Sequence, residues 1–235
     1  MIPDMNMKQF FLLLSLMVLP GCFSLAHDEP PQHHFVLGGP SGTAGESAGV
    51  SAGVPGGGLS DGDAPYESLQ GLRIGLRKLQ MVEYLDSPLI VVRVGQHQIV
   101  YSEFNRWGGS LESGVMRALE SHLEALAPLE GVATAPWDPR AGHDYLVQIH
   151  LLGMEGLVPE AGAGAEGASR LLASWEIISP IDGAVLVRGR TNHTTSGWTA
   201  GDYNDLVGRF DAGLWELSRD LVAALAAERA LLQQE

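Results

Sequence analysis

Two runs of residues meet at Asp182-Gly183, and this pairing constrains the fold of the chain more than any other local feature. In residues 169–179, Leu171, Ala173, Trp175 and Ile177 fall on one side, which is the two-residue period of a half-buried strand. Residues 185–195 read as the return strand. Asp-Gly supplies the positive backbone angles that a tight turn between right-twisted strands requires. A lone hairpin is barely stable in water, so more strands must flank it.

They are present. Residues 72–76 alternate apolar and polar, and 89–94 are rich in β-branched side chains. Gly95-Gln96 joins the latter to 97–101 as a second hairpin. Residues 145–151 make a further strand and 34–37 a short one, and an Ala/Gly loop covers about 158–168. Residues 83–88 read as a turn, with Pro88 fixing its end.

Two segments carry the helical period instead. Ser110, or failing that Ser113, caps a helix with Leu111, Val115, Ala118, Leu119, His122, Leu123 and Leu126 on one side, and Pro128 stops it. A longer helix over about 203–229 buries Leu206, Phe210, Leu214, Leu217, Leu221 and Leu225. The order strands, helix, strands, helix predicts an α/β (α+β) domain. Short hairpin-like connections favour a largely antiparallel sheet of six to seven strands, with both helices packed on one face.

The N-terminus bears on location. Lys8 precedes an apolar run from Phe10 to Leu19, and Pro20-Gly21-Cys22 follows. As a helix that run rises about 15 Å, half of a hydrocarbon core. It therefore reads as the core of a signal peptide over residues 1–21. Leu19-Pro20-Gly21-Cys22 resembles a bacterial lipobox, with Pro20 where Ala or Ser is usual. The resemblance implies cleavage before Cys22 and diacylglyceryl and acyl chains on it. At about 0.8 kcal/mol per buried methylene, two or three chains anchor a protein essentially permanently. Phe23 follows, where Asp is associated with inner-membrane retention in enteric bacteria, so the resemblance implies an outer-membrane anchor facing the periplasm.

Residues 22–32 are then a lipidated tether, and 33–230 a single domain. Within it, residues 39–64 are mostly Gly, Ser, Ala, Pro and Asp and bury too little to offset their ordering entropy, so they read as a flexible loop. Lys plus Arg number 14 against 28 Asp plus Glu, a net charge of -14, which argues against nucleic acid and against a polybasic membrane surface. With a single cysteine the chain can form no internal disulfide.

Val82-Glu83-Tyr84-Leu85-Asp86-Ser87-Pro88-Leu89-Ile90-Val91 resembles the pattern of the PqiC-like ABC-type transport auxiliary lipoproteins, where a Tyr-Leu-Asp-Arg-Pro turn leads into an Ile-Val strand. The similarity continues through Phe104-Asn105-Arg106-Trp107, Ala173-Ser174-Trp175-Glu176-Ile177, the Asp182-Gly183 hairpin, and Tyr203 leading into a Leu-rich helix. It spans Cys22 to about Leu225. Ser87 departs from the usual Arg, Gly108-Gly109-Ser110 from an Ala-Glu-Pro-like stretch, and the 39–64 insertion is longer than expected.

The resemblance implies a non-enzymatic subunit of an intermembrane lipid-transport system, with no cofactor beyond the lipid on Cys22. Its partners would be a membrane protein of the MCE type (mammalian cell entry), a permease and an ATPase. The lipoprotein would dock the MCE partner at the outer membrane and support envelope integrity. A homo-oligomeric ring is a compatible assembly, because MCE partners are themselves ring-shaped. Candidate partner contacts are Tyr84, Leu85, Asp86 and Pro88 on the turn, and Trp107. Trp107 also reads as a core plug beside the first helix, and Asp86 as the cap of its own turn.

Two other classes compete: a lipid-anchored periplasmic hydrolase, and an envelope assembly or scaffold lipoprotein. Asp182, His193 and Ser196 contain the letters of a hydrolase triad but lack the Gly-x-Ser-x-Gly elbow. His33-His34, His97, His122, His143, His150 and His193 show no metal-ligand spacing.

Overall fold

A computed structural model describes residues 31–38, 64–138, 140–159 and 164–233. The segments expected to be a signal peptide, the lipidated Cys22 with most of its tether, and nearly all of the Gly-rich loop lie outside the described residues. All of the elements below belong to the unit Gln32–Glu235.

Among the described residues, nine strands and two α-helices follow in order. The strands are β1 (His33–Phe35), β2 (Arg73–Leu76), β3 (Gln80–Met81), β4 (Leu89–Val94) and β5 (Gln98–Trp107). Helix α1 (Leu111–Leu126) comes next, then β6 (Gly131–Thr134), β7 (Tyr145–Val158), β8 (Glu166–Ile178) and β9 (Val185–Thr199), and finally α2 (Tyr203–Leu232).

The helices begin where polar side chains can satisfy their free N–H groups. The Ser110 hydroxyl accepts from the Ser113 N–H at 3.1 Å, and the Asp202 carboxylate from the Asp205 N–H at 3.0 Å. α1 buries Leu111, Val115, Ala118, Leu119 and Leu123, and α2 buries every residue of its expected stripe. α2 lies on the face of β8 that carries Leu171, so closely that a Cβ on Gly213 would stand 2.9 Å from the Leu171 Cβ. α1 packs beside α2, with the His122 and Trp215 rings 5.1 Å apart. Both helices therefore share one face of the sheet, as expected.

The sheet is mixed, which corrects the expectation of a largely antiparallel one. The antiparallel pairs are β4–β5, β7–β8 and β8–β9. The parallel pairs are β1–β5, β2–β6, β2–β7, β3–β7 and β4–β7. The cause is the 14-residue β7. One of its edges is taken by β8 from Leu146 to Leu157. The other is shared in turn by β2 at Tyr145–Val147, β3 at His150–Leu151 and β4 at Gly156–Val158. β2, β3, β4 and, through β2, β6 all run in the direction of β7, so α1 joins β5 to a strand of opposite direction. The sheet also has more strands than the six or seven expected, because β3 and β6 are too short to show a period.

Candidate functional site

The turn before β4 is held from both sides. The Val82 N–H donates to the Leu151 carbonyl at 3.1 Å, which ties the start of the turn to β7. Residues Glu83–Leu85 make one 3-10 turn, closed by Leu85 N–H to Val82 O and Asp86 N–H to Glu83 O, both at 3.0 Å. The Ser87 hydroxyl accepts from the Leu89 N–H at 3.1 Å, and the Pro88 carbonyl from the Trp107 N–H at 2.8 Å. The last bond joins the turn to the end of β5, so the segments flagged in sequence as Tyr84–Pro88 and Trp107 meet in space.

Their side chains differ in placement. Leu85 and Trp107 are buried, and Trp107 packs 6.2 Å from the Phe210 ring of α2. Asp86 and Pro88 are exposed. Tyr84 is half-buried and leans on β7, its hydroxyl donating to the Leu152 carbonyl at 3.3 Å. Exposed Asp86 and Pro88 thus stand on a base made of Leu85, Trp107 and Tyr84.

Beneath Tyr84 lies an acid that the sequence reading passed over. Glu155 is fully buried in β7. Arg93 of β4 meets it edge-on, with Nε to Oε1 at 2.8 Å and the second guanidinium nitrogen to Oε2 at 3.1 Å. Arg170 of β8, directly opposite in register, also donates to Oε1. The Arg93 guanidinium lies 5.8 Å from the centroid of the Tyr84 ring, within reach of a cation–π attraction. Burial alone raises the Glu155 carboxyl, but hydrogen bonds from Arg93 and Arg170 outweigh it and hold the carboxyl below its ordinary value. Burial, then the Glu155 charge, pushes the Tyr84 hydroxyl above its own. The group is an ionised buried cluster that ties β4, β7, β8 and the turn together. Among the described residues no second acid is hydrogen-bonded to Glu155.

The cluster belongs to the sheet face away from the helices. There β8 presents Arg170, Leu172, Ser174 and Glu176, while β9 presents exposed Leu186, Arg188, Arg190, Asn192 and Thr194. A shallow depression of about 360 Å³ opens between β7, β8 and β9, edged by His150, Ser174, Glu176 and Arg188. Arg188 donates to Glu176 across it at 2.8 Å.

The other residues flagged by sequence do not assemble into a reactive centre. Asp182 serves its own hairpin, accepting from the Ala184 N–H at 3.1 Å. Val185 and His193 are eight residues apart on β9, about 26 Å of extended strand. The His193 ring instead meets the Thr195 hydroxyl at 2.9 Å. His143 packs 4.8 Å from the Trp137 ring. Among the described residues no group of three or more His, Cys, Asp or Glu is placed to hold a metal ion, and no helix is long and apolar enough to cross a membrane.

Residues 61–222 match the model of the family described as the ABC-type transport auxiliary lipoprotein component. The fold is similar to that of a Xanthomonas campestris protein, with a TM-score of 0.60 at 14% identity, covering 71% of this chain and 90% of that one. It is also similar to that of a second, uncharacterized protein, with a TM-score of 0.55 at 17% identity, covering 67% of this chain and 94% of that one. At such identities the likeness extends to the fold. No curated protein matches the chain.

Proposed function

The chain belongs to the ABC-type transport auxiliary lipoprotein family, and from that premise we propose that it is the lipid-anchored, outer-membrane docking subunit of an MCE/ABC-type intermembrane lipid-transport system. Cys22 is the proposed attachment point for diacylglyceryl and acyl chains, and residues 22–32 are the tether that spaces the domain from the bilayer. The domain faces the periplasm and contacts the MCE protein, which works with its permease and ATPase. The subunit itself catalyses nothing.

The observation that carries the docking role is the fixed turn: exposed Asp86 and Pro88 are held by the Trp107–Pro88 hydrogen bond on one side and by Tyr84 above Glu155 on the other. Binding residues gain most when loop positions are fixed by a rigid scaffold. Tyr84, Leu85, Asp86, Pro88 and Trp107 together form the proposed contact, with the exposed pair touching the partner and the other three supporting it.

Deletion of the gene tests this reading. It is expected to sensitise the envelope to detergent. The wild-type chain restores resistance, and a Cys22→Ala chain, released from the membrane, does not. Unchanged permeability on deletion, or a Cys22→Ala chain that stays membrane-bound, overturns the reading.

A further inference from the structure

Strand β9 pairs with β8 along its length and with no other strand, so among the described residues its outer edge carries no strand. Such an edge carries a row of unpaired N–H and C=O groups and is a template for another strand. Arg209 of α2 closes one end of it by donating to the Ser196 carbonyl at 2.8 Å and the Gly197 carbonyl at 3.1 Å. The open part therefore runs from about Val185 to Thr195.

Side chains along that part differ between the two faces. Toward the helices stand Val187, Gly189, Thr191 and His193, and Thr191 is already engaged with Asp220 at 2.6 Å. On the open face stand Arg188, Arg190, Asn192 and Thr194, all exposed. Arg188 is paired with Glu176, whereas Arg190 forms no ion pair among the described residues. On the neighbouring strand Arg170, directly opposite Thr194, is engaged by the buried Glu155, so Arg190 is the cation of this edge left without an acidic partner among the described residues. In a chain with net charge -14, Arg190 therefore leaves an uncompensated positive charge on this edge, beside the Arg188–Glu176 pair.

That charge selects the occupant. A second β9 added to this edge would bring Arg188 and Arg190 toward their own copies, and opposed like charges destabilise a strand pair. A segment with acidic residues at every second position would instead place carboxylates beside Arg188 and Arg190, where a guanidinium can bind bidentately. Its alternate residues would lie beside Val187 and Gly189 and must be apolar or small. We propose that the outer edge of β9 receives an extended segment of a partner protein in which acidic residues alternate with apolar ones, paired by backbone hydrogen bonds. This names the chemistry of a partner segment and rests on the docking reading above.

The test uses the full-length chain in detergent and a fluorescent peptide of alternating glutamate and valine. Anisotropy should report binding that weakens with salt. Arg190→Glu and the double variant Arg188→Glu/Arg190→Glu should each weaken it at least tenfold, with far-ultraviolet circular dichroism unchanged. Methylating alternate backbone nitrogens of the peptide should abolish binding when the methylated positions face β9. Equal binding of the methylated peptide means simple charge attraction and overturns the proposal. So does wild-type affinity in the Arg190→Glu chain, or binding to phosphatidylglycerol vesicles through Arg188 and Arg190 without binding to the peptide. These outcomes leave the docking reading standing, because the deletion phenotype tests it separately.

Discussion

Arg93 and Glu155 meet edge-on through a pair of hydrogen bonds, at 2.8 and 3.1 Å, one residue half-buried on β4 and the other fully buried on β7. Glu155 also accepts from Arg170, so removing it leaves two guanidinium groups partly buried without their partner. Breaking a buried pair from one side costs about 3–5 kcal/mol, far more than the pair is worth against an apolar replacement. Glu155→Ala should therefore lose stability in that range by urea denaturation. A triple change of Arg93, Arg170 and Glu155 to apolar residues of similar volume should recover much of the loss.

The same carboxyl sets an acid dependence. Its value in the folded chain lies below the ordinary 4.5. A depressed carboxyl contributes stability that is fully present above 4.5 and is lost as pH falls from there toward the folded value. Denaturation midpoints measured between pH 7 and about 3 should fall in the acidic part of that window. In Glu155→Gln the fall should be shallower, on a lower baseline.

His122 sits between α1 and α2, 3.7 Å from the Asp211 carboxylate. Burial lowers its value, and the Asp211 charge opposes this only in part. The unfolded chain therefore takes up the proton first as pH drops below 6.5, and stability should decline from there toward the folded value. By nuclear magnetic resonance the His122 ring should titrate below 6.5, with Asp211→Asn shifting it lower still.

Close packing leaves no room for a side chain at several glycines, Gly156 and Gly189 among them. A Cβ at Gly156 would stand 2.6 Å from the Trp198 ring, and one at Gly189 would overlap the Trp175 ring. Gly156→Ala and Gly189→Ala should each cost about 1–3 kcal/mol, the usual range for overpacking. An exposed glycine with open space around it, Gly109, should tolerate alanine with little change in melting temperature.

The local parts of this fold were legible in the chain. Asp182-Gly183 marks the β8–β9 turn because its chemistry is local, and Ser110 and Pro128 bracket α1 for the same reason. The parallel pairings were not, since nothing in residues 73–76 or 89–94 says that both will lie along β7. β7 itself runs past Leu151 to Val158, through Gly153, Glu155 and Gly156, where a buried charge and two glycines interrupt the strand pattern. That charge concealed the cluster under Tyr84: Glu155 reads as a surface acid until Arg93 and Arg170 arrive from strands distant in sequence. The turn itself was visible, but that Leu85 and Trp107 would be buried while Asp86 and Pro88 stay exposed depends on how β5 and α2 meet.

Affinity capture of the tagged wild-type chain from crosslinked envelopes addresses the docking role most directly. The account expects an MCE-domain protein to be recovered, accompanied by its permease and ATPase, and expects charge reversal at Asp86 (Asp86→Lys) to reduce that recovery severalfold without unfolding the chain. Recovery of a different set of envelope proteins with no MCE-domain protein among them would contradict it.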